Sequence, residues 1–234
     1  MKHHTNSSQL MTAGINVMND EGSRVYTIND DITEELSAYL KHEIFMINKT
    51  DEQILQRKAY AIELQEVECV DEEGEIIFDE NDNPMTTFIE VQVTGEEYAP
   101  SPIILNFSTF GGSLSASVGI LEAINNSKTP IEINFSENCM SGGTVISLAK
   151  CKKTSTEHCR WLVHNMSHSL GYNNLSSHRD SIAESEYAEK QMRKLYEENT
   201  TMPKKLLDKI FKTDYDYYFS AEEAKEFGFV SEVI

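Results

Sequence analysis

The chain has 234 residues, 39% of them hydrophobic, which is enough for one globular domain with a substantial core. Its formal net charge of −19 at pH 7 argues against nucleic acid or an anionic membrane as partner, because both require a basic surface. No stretch approaches the roughly 18 apolar residues of a membrane-spanning helix, and the four cysteines show neither disulfide nor zinc-ligand spacing. We therefore expect a cytoplasmic protein without a metal site.

The N-terminal region has two parts. Residues 1–22 are polar and lack periodicity, so we predict a flexible arm ahead of a single domain over 23–234. Residues 24–28 then predict a short strand, and apolar residues at helical spacing predict a helix over 34–48. Asp and Thr residues just before that helix are suited to cap it.

Residues 51–99 break this pattern with an acidic insertion. They carry 15 acidic side chains against Arg57 and Lys58, so they hold −13 of the net charge. Partly alternating runs at 62–70 and 87–93 flank a turn-rich stretch, which predicts an inserted β-hairpin. The charge is compatible with a docking surface and equally with a solvated surface that only aids solubility.

After residue 100, strands and helices alternate. This order predicts a mostly parallel sheet covered by helices, that is, an α/β fold. A long helix over about 178–199 carries an apolar stripe among many charges, and a later helix opens at Ser220 with Glu223 at capping-box spacing. The other predicted elements are buried strands at 103–107, 130–135 and 161–163 and helices over 113–126 and from 144 to 150.

Two strand-to-helix turns and one histidine are the candidates for chemistry. Ser141 lies on a turn in which Gly142 can approach a ligand closely, next to a helix N-terminus that favours negative charge. Gly111 and Gly112 form a second such turn, and His164 follows a buried strand. Each feature alone also fits a structural role: an N-cap serine, a tight turn and a hydrogen-bonded core histidine.

The order and spacing of these pieces resemble the Clp protease proteolytic-subunit family over about residues 24–48 and 100–234. The resemblance rests on Ser23-Arg-Val-Tyr26, Asn106-Phe-Ser-Thr-Phe-Gly-Gly-Ser-Leu114, Cys139-Met-Ser-Gly-Gly143 and Phe219-Ser-Ala-Glu-Glu-Ala-Lys-Glu-Phe-Gly228.

The resemblance implies a crotonase-like fold and a serine endopeptidase. Ser141 and His164 match the family's nucleophile and base, and Gly111 or Gly112 together with Gly142 match its oxyanion hole. The helix at 178–199 matches the handle that interlocks two rings. The implied assembly is a homo-oligomer of stacked heptameric rings, to which an AAA+ Clp unfoldase delivers unfolded polypeptides. ATP would be used by that partner, because this chain has no phosphate loop and needs no cofactor of its own.

The chain also departs from the family pattern. Phe110 stands where the family has proline, Glu137 where it has glycine, and Lys212 where an ungapped comparison places the catalytic aspartate. A lysine cannot stabilise an imidazolium. Asp214 is our first candidate for the missing carboxylate, and Asp216 is the alternate.

Two other functions stay open at this stage. Lys212 motivates a catalytically impaired scaffold or regulatory subunit. An acyl-CoA-binding enzyme of crotonase-like fold is disfavoured, because the serine–histidine pairing argues against it and no basic site for the CoA phosphates is evident.

Overall fold

The structure is a computed structural model, and it describes residues 7–9, 17–20, 23–59, 62–92, 98–167, 174–213 and 215–234. The chain divides into two compact units, one comprising Met1–Ile47 with Ser101–Ile234 and the other Asn48–Pro100. The strands are β1 (Ser7–Gln9), β2 (Val17–Asp20), β3 (Val25–Asn29), β4 (Ile62–Glu68), β5 (Thr86–Gln92), β6 (Ile103–Thr109), β7 (Ile131–Met140), β8 (Lys152–Ser155), β9 (Arg160–Val163), β10 (Tyr217–Phe219) and β11 (Glu232–Val233). The helices are α1 (Glu34–Ala59), α2 (Leu114–Asn125), α3 (Gly142–Ile146), α4 (Leu175–Asn199), α5 (Lys204–Thr213) and α6 (Ala221–Glu226).

The larger unit is built on one mixed sheet. Its strands follow the order β1-β2-β3-β6-β7-β8-β11, and β9 and β10 continue from the far half of β7. The pairs from β3 to β11 and the pair β7–β9 are parallel, whereas β1–β2, β2–β3 and β9–β10 are antiparallel. The predicted α/β fold with a mainly parallel sheet is therefore confirmed.

Strand β7 changes partner half-way along its length. Its first half pairs with β8, and residues 138–140 pair with β9 instead. Glu137 lies at the change, where its φ of 53° bends the strand and its carboxylate accepts a hydrogen bond of 3.1 Å from Ser108. This bend brings the end of β7 beside the end of β9, which places Ser141 near His164.

The two faces of the sheet differ in polarity. Alternate side chains of β6 and β7, such as Leu105 and Phe135, are fully buried in the core. On the opposite face, Thr154 donates to Asn134 (2.7 Å) and Asn134 donates to Asn106 (2.9 Å), so a polar chain crosses three strands. The predicted burial is confirmed for residues 161–163, whereas the second face of β6 and β7 is mostly half-buried.

The helix and strand predictions succeeded where local signals were strong. Ser113 caps α2 by accepting from Ala116, and the predicted capping box of Ser220 and Glu223 is present at α6. The predicted end of α1 was wrong, because good helix formers continue the helix through residues 51–59. Strand β8 and helix α5 were not predicted. Strands β1 and β2 lie within the predicted arm, whose flexibility stays a prediction.

The smaller unit contains the predicted hairpin. Strands β4 and β5 pair antiparallel from Ile62 opposite Gln92 to Glu68 opposite Thr86. Beyond them, the carboxylates of Asp71 and Asp79 each accept two backbone N–H bonds within a tight turn. Large apolar side chains, including Leu64 and Phe88, are exposed on this hairpin.

Among the described residues, no helix has both the length and the apolar character needed to cross a bilayer.

Candidate active site

Ser141 occupies a strained turn between β7 and α3. Its φ is 50° and its ψ is −118°, a backbone conformation that costs a non-glycine residue roughly 1–3 kcal/mol. Its N–H donates to the carbonyl of Leu162 (2.9 Å), and its carbonyl accepts from the Thr144 N–H (2.9 Å). Ser141 is the residue that precedes α3, but its hydroxyl makes no capping hydrogen bond to that helix.

His164 follows β9 and faces that hydroxyl. Its Nε2 lies 2.7 Å from Ser141 Oγ, which is hydrogen-bonding distance. Strand β9 runs parallel to the end of β7, with Met140 opposite Leu162, so two neighbouring strand ends set this geometry. The structure therefore brings together the two side chains that the sequence singled out as nucleophile and base.

The third group is a carboxylate on the other side of the imidazole. Oδ1 of Asp216 lies 3.8 Å from His164 Nδ1, and the Asp216 side chain is 58% exposed. Asp214, our first candidate, lies outside the described residues. Lys212, at the end of α5, pairs with Asp208 at 3.3 Å. Among the described residues, the carboxylate nearest the histidine ring is thus the alternate, Asp216.

The glycine turn at 111–112 packs directly on the nucleophile. A Cβ on Gly111 would lie 2.6 Å from Ser141 Cβ, so only glycine allows this approach. The Gly111 N–H donates to Thr109 Oγ1 (3.0 Å) and its carbonyl accepts from Ile32 (2.6 Å). Gly111 is therefore not a free donor, contrary to one of our two expectations for this turn.

Gly112 and Gly142 fit the oxyanion-hole expectation better. A Cβ on Gly142 would lie 3.5 Å from the Gly112 amide nitrogen, so these two residues are close neighbours beside Ser141. We find no hydrogen-bond acceptor for either N–H within the described part of the chain. Two such N–H groups can stabilise a developing negative charge next to Ser141.

A cavity of about 280 Å³ opens beside the serine–histidine pair. Besides the catalytic candidates, its wall includes the apolar side chains Leu114, Val145, Met166 and Met192. Such a pocket accepts an apolar side chain next to the reacting carbonyl.

Sequence reasoning missed several residues that hold this site together. Asn165 donates to Glu189 (3.0 Å) and to the Phe211 carbonyl (3.3 Å), which ties the loop after His164 to α4 and α5. Thr144 and Tyr196 share a hydrogen bond of 2.6 Å. Tyr196 lies one helical turn after Met192 and so continues the apolar stripe of α4. That spacing indicates burial and is the only sequence signal that could have identified Tyr196.

Comparison with known proteins agrees with this geometry. The family model described as Clp protease matches residues 69–234. The chain belongs to the Clp protease family.

Curated relatives of the family share part of the sequence. The chain is 30% identical over 141 residues to the ATP-dependent Clp protease proteolytic subunit 3 of Parasynechococcus marenigrum, which covers 59% of this chain and 69% of that protein. It is 29% identical over 136 residues to the ATP-dependent Clp protease proteolytic subunit of Streptococcus sanguinis. That match covers 56% of this chain and 68% of the relative.

A solved structure shows the same fold. A ClpP1 mutant from Listeria monocytogenes superposes with a TM-score of 0.60 at 17% identity, over 90% of this chain and 91% of that one. The expected Clp-protease fold is therefore confirmed.

Proposed function

We propose that this chain is the proteolytic subunit of an ATP-dependent serine endopeptidase of the Clp type. The single observation that carries the proposal is the 2.7 Å contact between His164 Nε2 and Ser141 Oγ on a strained strand-to-helix turn. A nucleophilic serine needs an adjacent base and exposure on such a turn. The family membership and the names of the relatives support the reaction class.

The mechanism follows from the position of each group. Ser141 Oγ attacks the scissile carbonyl carbon while His164 Nε2 accepts the hydroxyl proton. The carbonyl oxygen becomes an oxyanion that receives hydrogen bonds from the Gly112 and Gly142 N–H groups. The imidazolium gives its proton to the leaving amine, and water then hydrolyses the acyl-serine by the same route in reverse. Asp216 faces Nδ1 and stabilises the imidazolium.

The cavity suggests which bonds are cleaved. Its apolar wall of Leu114, Val145, Met166 and Met192 favours an apolar residue immediately before the scissile bond. Polypeptides that expose such residues are unfolded ones, which agrees with a partner that unfolds its substrates.

The decisive experiment is labelling with a fluorophosphonate probe, followed by peptide mapping. We expect one adduct per wild-type chain, confined to Ser141, and none on Ser141→Ala with an unchanged thermal midpoint. Absence of labelling on folded, assembled wild-type protein would remove the peptidase proposal.

A second candidate is a catalytically impaired subunit of such an assembly. The observation that favours it is the His164–Asp216 separation, because 3.8 Å exceeds hydrogen-bonding distance and the carboxylate is largely solvated. Normal assembly together with absent labelling would select this candidate.

We further propose the assembly that the resemblance implies: cytoplasmic stacked rings of seven subunits, to which an AAA+ unfoldase delivers polypeptides. Exposed apolar residues along α4, namely Leu175, Ile182 and Tyr187, support a role of this helix in subunit contacts. Native mass spectrometry tests the stoichiometry: fourteen chains are expected, and a stable monomer contradicts it.

A further inference from the structure

A buried chain of hydroxyl groups leads from helix α4 to the nucleophile turn. Tyr196 Oη lies 2.6 Å from Thr144 Oγ1, and Thr144 Oγ1 donates to the Ser141 carbonyl at 2.6 Å. Both side chains are almost fully buried, at 1% and 0% exposure. Because the single threonine proton goes to the carbonyl, Tyr196 is the donor in the first bond.

The tyrosine is well held as a donor. Its ring packs against Phe211 and Phe229, with centroid distances of 6.1 Å in both cases. Burial raises the pKa of Tyr196, so the phenol keeps its proton across the working pH range.

The final acceptor of the hydroxyl chain, the Ser141 carbonyl, lies in the same peptide group as a proposed oxyanion donor, the Gly142 N–H. The Ser141 carbonyl and the Gly142 N–H are the two halves of one planar trans peptide, so fixing the direction of the carbonyl fixes the direction of the N–H. The Ser141 carbonyl accepts two bonds from Thr144, one from its N–H and one from its hydroxyl. Ser141 has a strained pair of dihedral angles, φ 50° and ψ −118°, so this peptide needs support. Rotation about the Ser141 Cα–C bond would otherwise relieve the strain and turn the Gly142 N–H away.

We propose that Thr144 and Tyr196 are positioning residues that aim the Gly142 N–H at the oxyanion. The inference rests on the proposed peptidase function and deepens it. Neither side chain need touch the reacting atoms; they act through the 141–142 peptide. Their removal lowers the rate of acylation more than it weakens substrate binding, because the oxyanion exists only after attack.

The test compares Thr144→Val, Tyr196→Phe and the double variant in hydrolysis of a fluorogenic peptide with leucine before the scissile bond. Removing one oxyanion donor costs 10²–10³-fold in kcat, so we expect roughly 10–100-fold for Thr144→Val, which loses the bond to the carbonyl. For Tyr196→Phe we expect kcat to fall roughly 3–10-fold, because this variant loses only the hydrogen bond from Tyr196 to Thr144. KM should change less than about twofold. The double variant should resemble Thr144→Val, since both act through one bond.

Controls separate this role from a loss of stability. Ser147→Ala removes another fully buried hydroxyl, which donates to the Thr144 carbonyl at 2.7 Å and does not reach Ser141. Ser147→Ala should keep wild-type kcat while lowering the thermal midpoint about as much as Thr144→Val does. Thr144→Ser, which retains the hydroxyl, should recover most of the rate that Thr144→Val loses. Affinity for a peptide boronic acid, whose serine adduct is tetrahedral, should fall in parallel with kcat/KM. All rates are normalised to sites titrated with the fluorophosphonate probe.

The outcomes distinguish the two proposals. If wild-type protein hydrolyses the peptide and Thr144→Val retains wild-type kcat, the positioning inference is wrong while the peptidase function stands. If Ser147→Ala loses as much rate as Thr144→Val, a general stability effect replaces the inference. If wild-type protein neither hydrolyses the peptide nor reacts with the probe, the underlying function is wrong.

Discussion

Asp216 approaches His164 on the side of the imidazole opposite the serine, with 3.8 Å between the aspartate Oδ1 and the ring Nδ1. An ungapped comparison with the family places Lys212 where the catalytic aspartate is expected. The structure pairs Lys212 with Asp208 instead and leaves the approach to the histidine to a residue four positions later. A carboxylate can thus be supplied from a different position of the same segment.

Replacing Asp216 tests this assignment. We expect Asp216→Asn to lower kcat/KM about 10–100-fold, less than for a buried triad aspartate, because this carboxylate is solvated and beyond hydrogen-bonding distance. Peptide hydrolysis at pH 7.5 gives the value. Lys212→Ala is the matched control and should leave the rate unchanged. A loss that appears with Asp214→Asn and not with Asp216→Asn would move the role to Asp214.

Gly111 is predicted to be irreplaceable for activity. Its φ is 114°, and an alanine Cβ would lie 2.6 Å from Ser141 Cβ and 2.9 Å from the Met140 carbonyl, so Gly111→Ala must displace the nucleophile turn. We expect the rate of fluorophosphonate labelling to fall at least about 100-fold.

Gly228→Ala separates that steric effect from backbone strain. Gly228 also has a positive φ, 83°, but no atom lies within 4 Å of its would-be Cβ. It should cost about 1 kcal/mol of unfolding free energy and leave the labelling rate intact. Equal labelling rates in the two alanine variants would contradict the proposed steric role of Gly111.

Glu137 is expected to hold the β7 bend at a cost in stability. Its φ of 53° strains a residue with a Cβ, and glycine, which the resemblance places here, adopts it freely. Both Glu137→Gly and Glu137→Ala lose the bond from Ser108, so their difference isolates the strain. Urea unfolding should show the glycine variant more stable than the alanine variant by about 1 kcal/mol. An alanine variant of equal or greater stability would show that the bend carries no strain.

Met166 is expected to influence the choice of cleavage site. It lines the cavity beside Ser141 and is only half-buried, so a polar replacement should be tolerated by the fold. We expect Met166→Glu to reduce kcat/KM at least about tenfold for a peptide with leucine before the scissile bond, because a carboxylate is costly to bury beside an apolar side chain. The same variant should show a higher kcat/KM for a peptide with lysine before the scissile bond. Met166→Gln, which is polar but uncharged, should lose the leucine substrate without gaining the lysine one. An unchanged leucine-to-lysine ratio in Met166→Glu would exclude this cavity as the specificity pocket.

Local signals in the sequence were enough for much of this protein. The capping box at Ser220 is encoded within four neighbouring residues and the acidic hairpin within one continuous stretch, and both are present. The alternation of strands and helices predicted the parallel sheet, and the order of the motifs singled out Ser141 and His164, which the structure brings to 2.7 Å.

Only the tertiary structure decided the details that depend on distances between remote residues. Tyr196 reaches Thr144 across 52 positions of sequence, and no periodicity or spacing encodes such a contact. The distinction between Gly111 and Gly112 depends on Thr109, two residues before Gly111, and on Ile32, which reaches the turn from the connection between β3 and α1. Packing of the helices against the sheet sets these distances, and side-chain patterns report only which face of an element is buried.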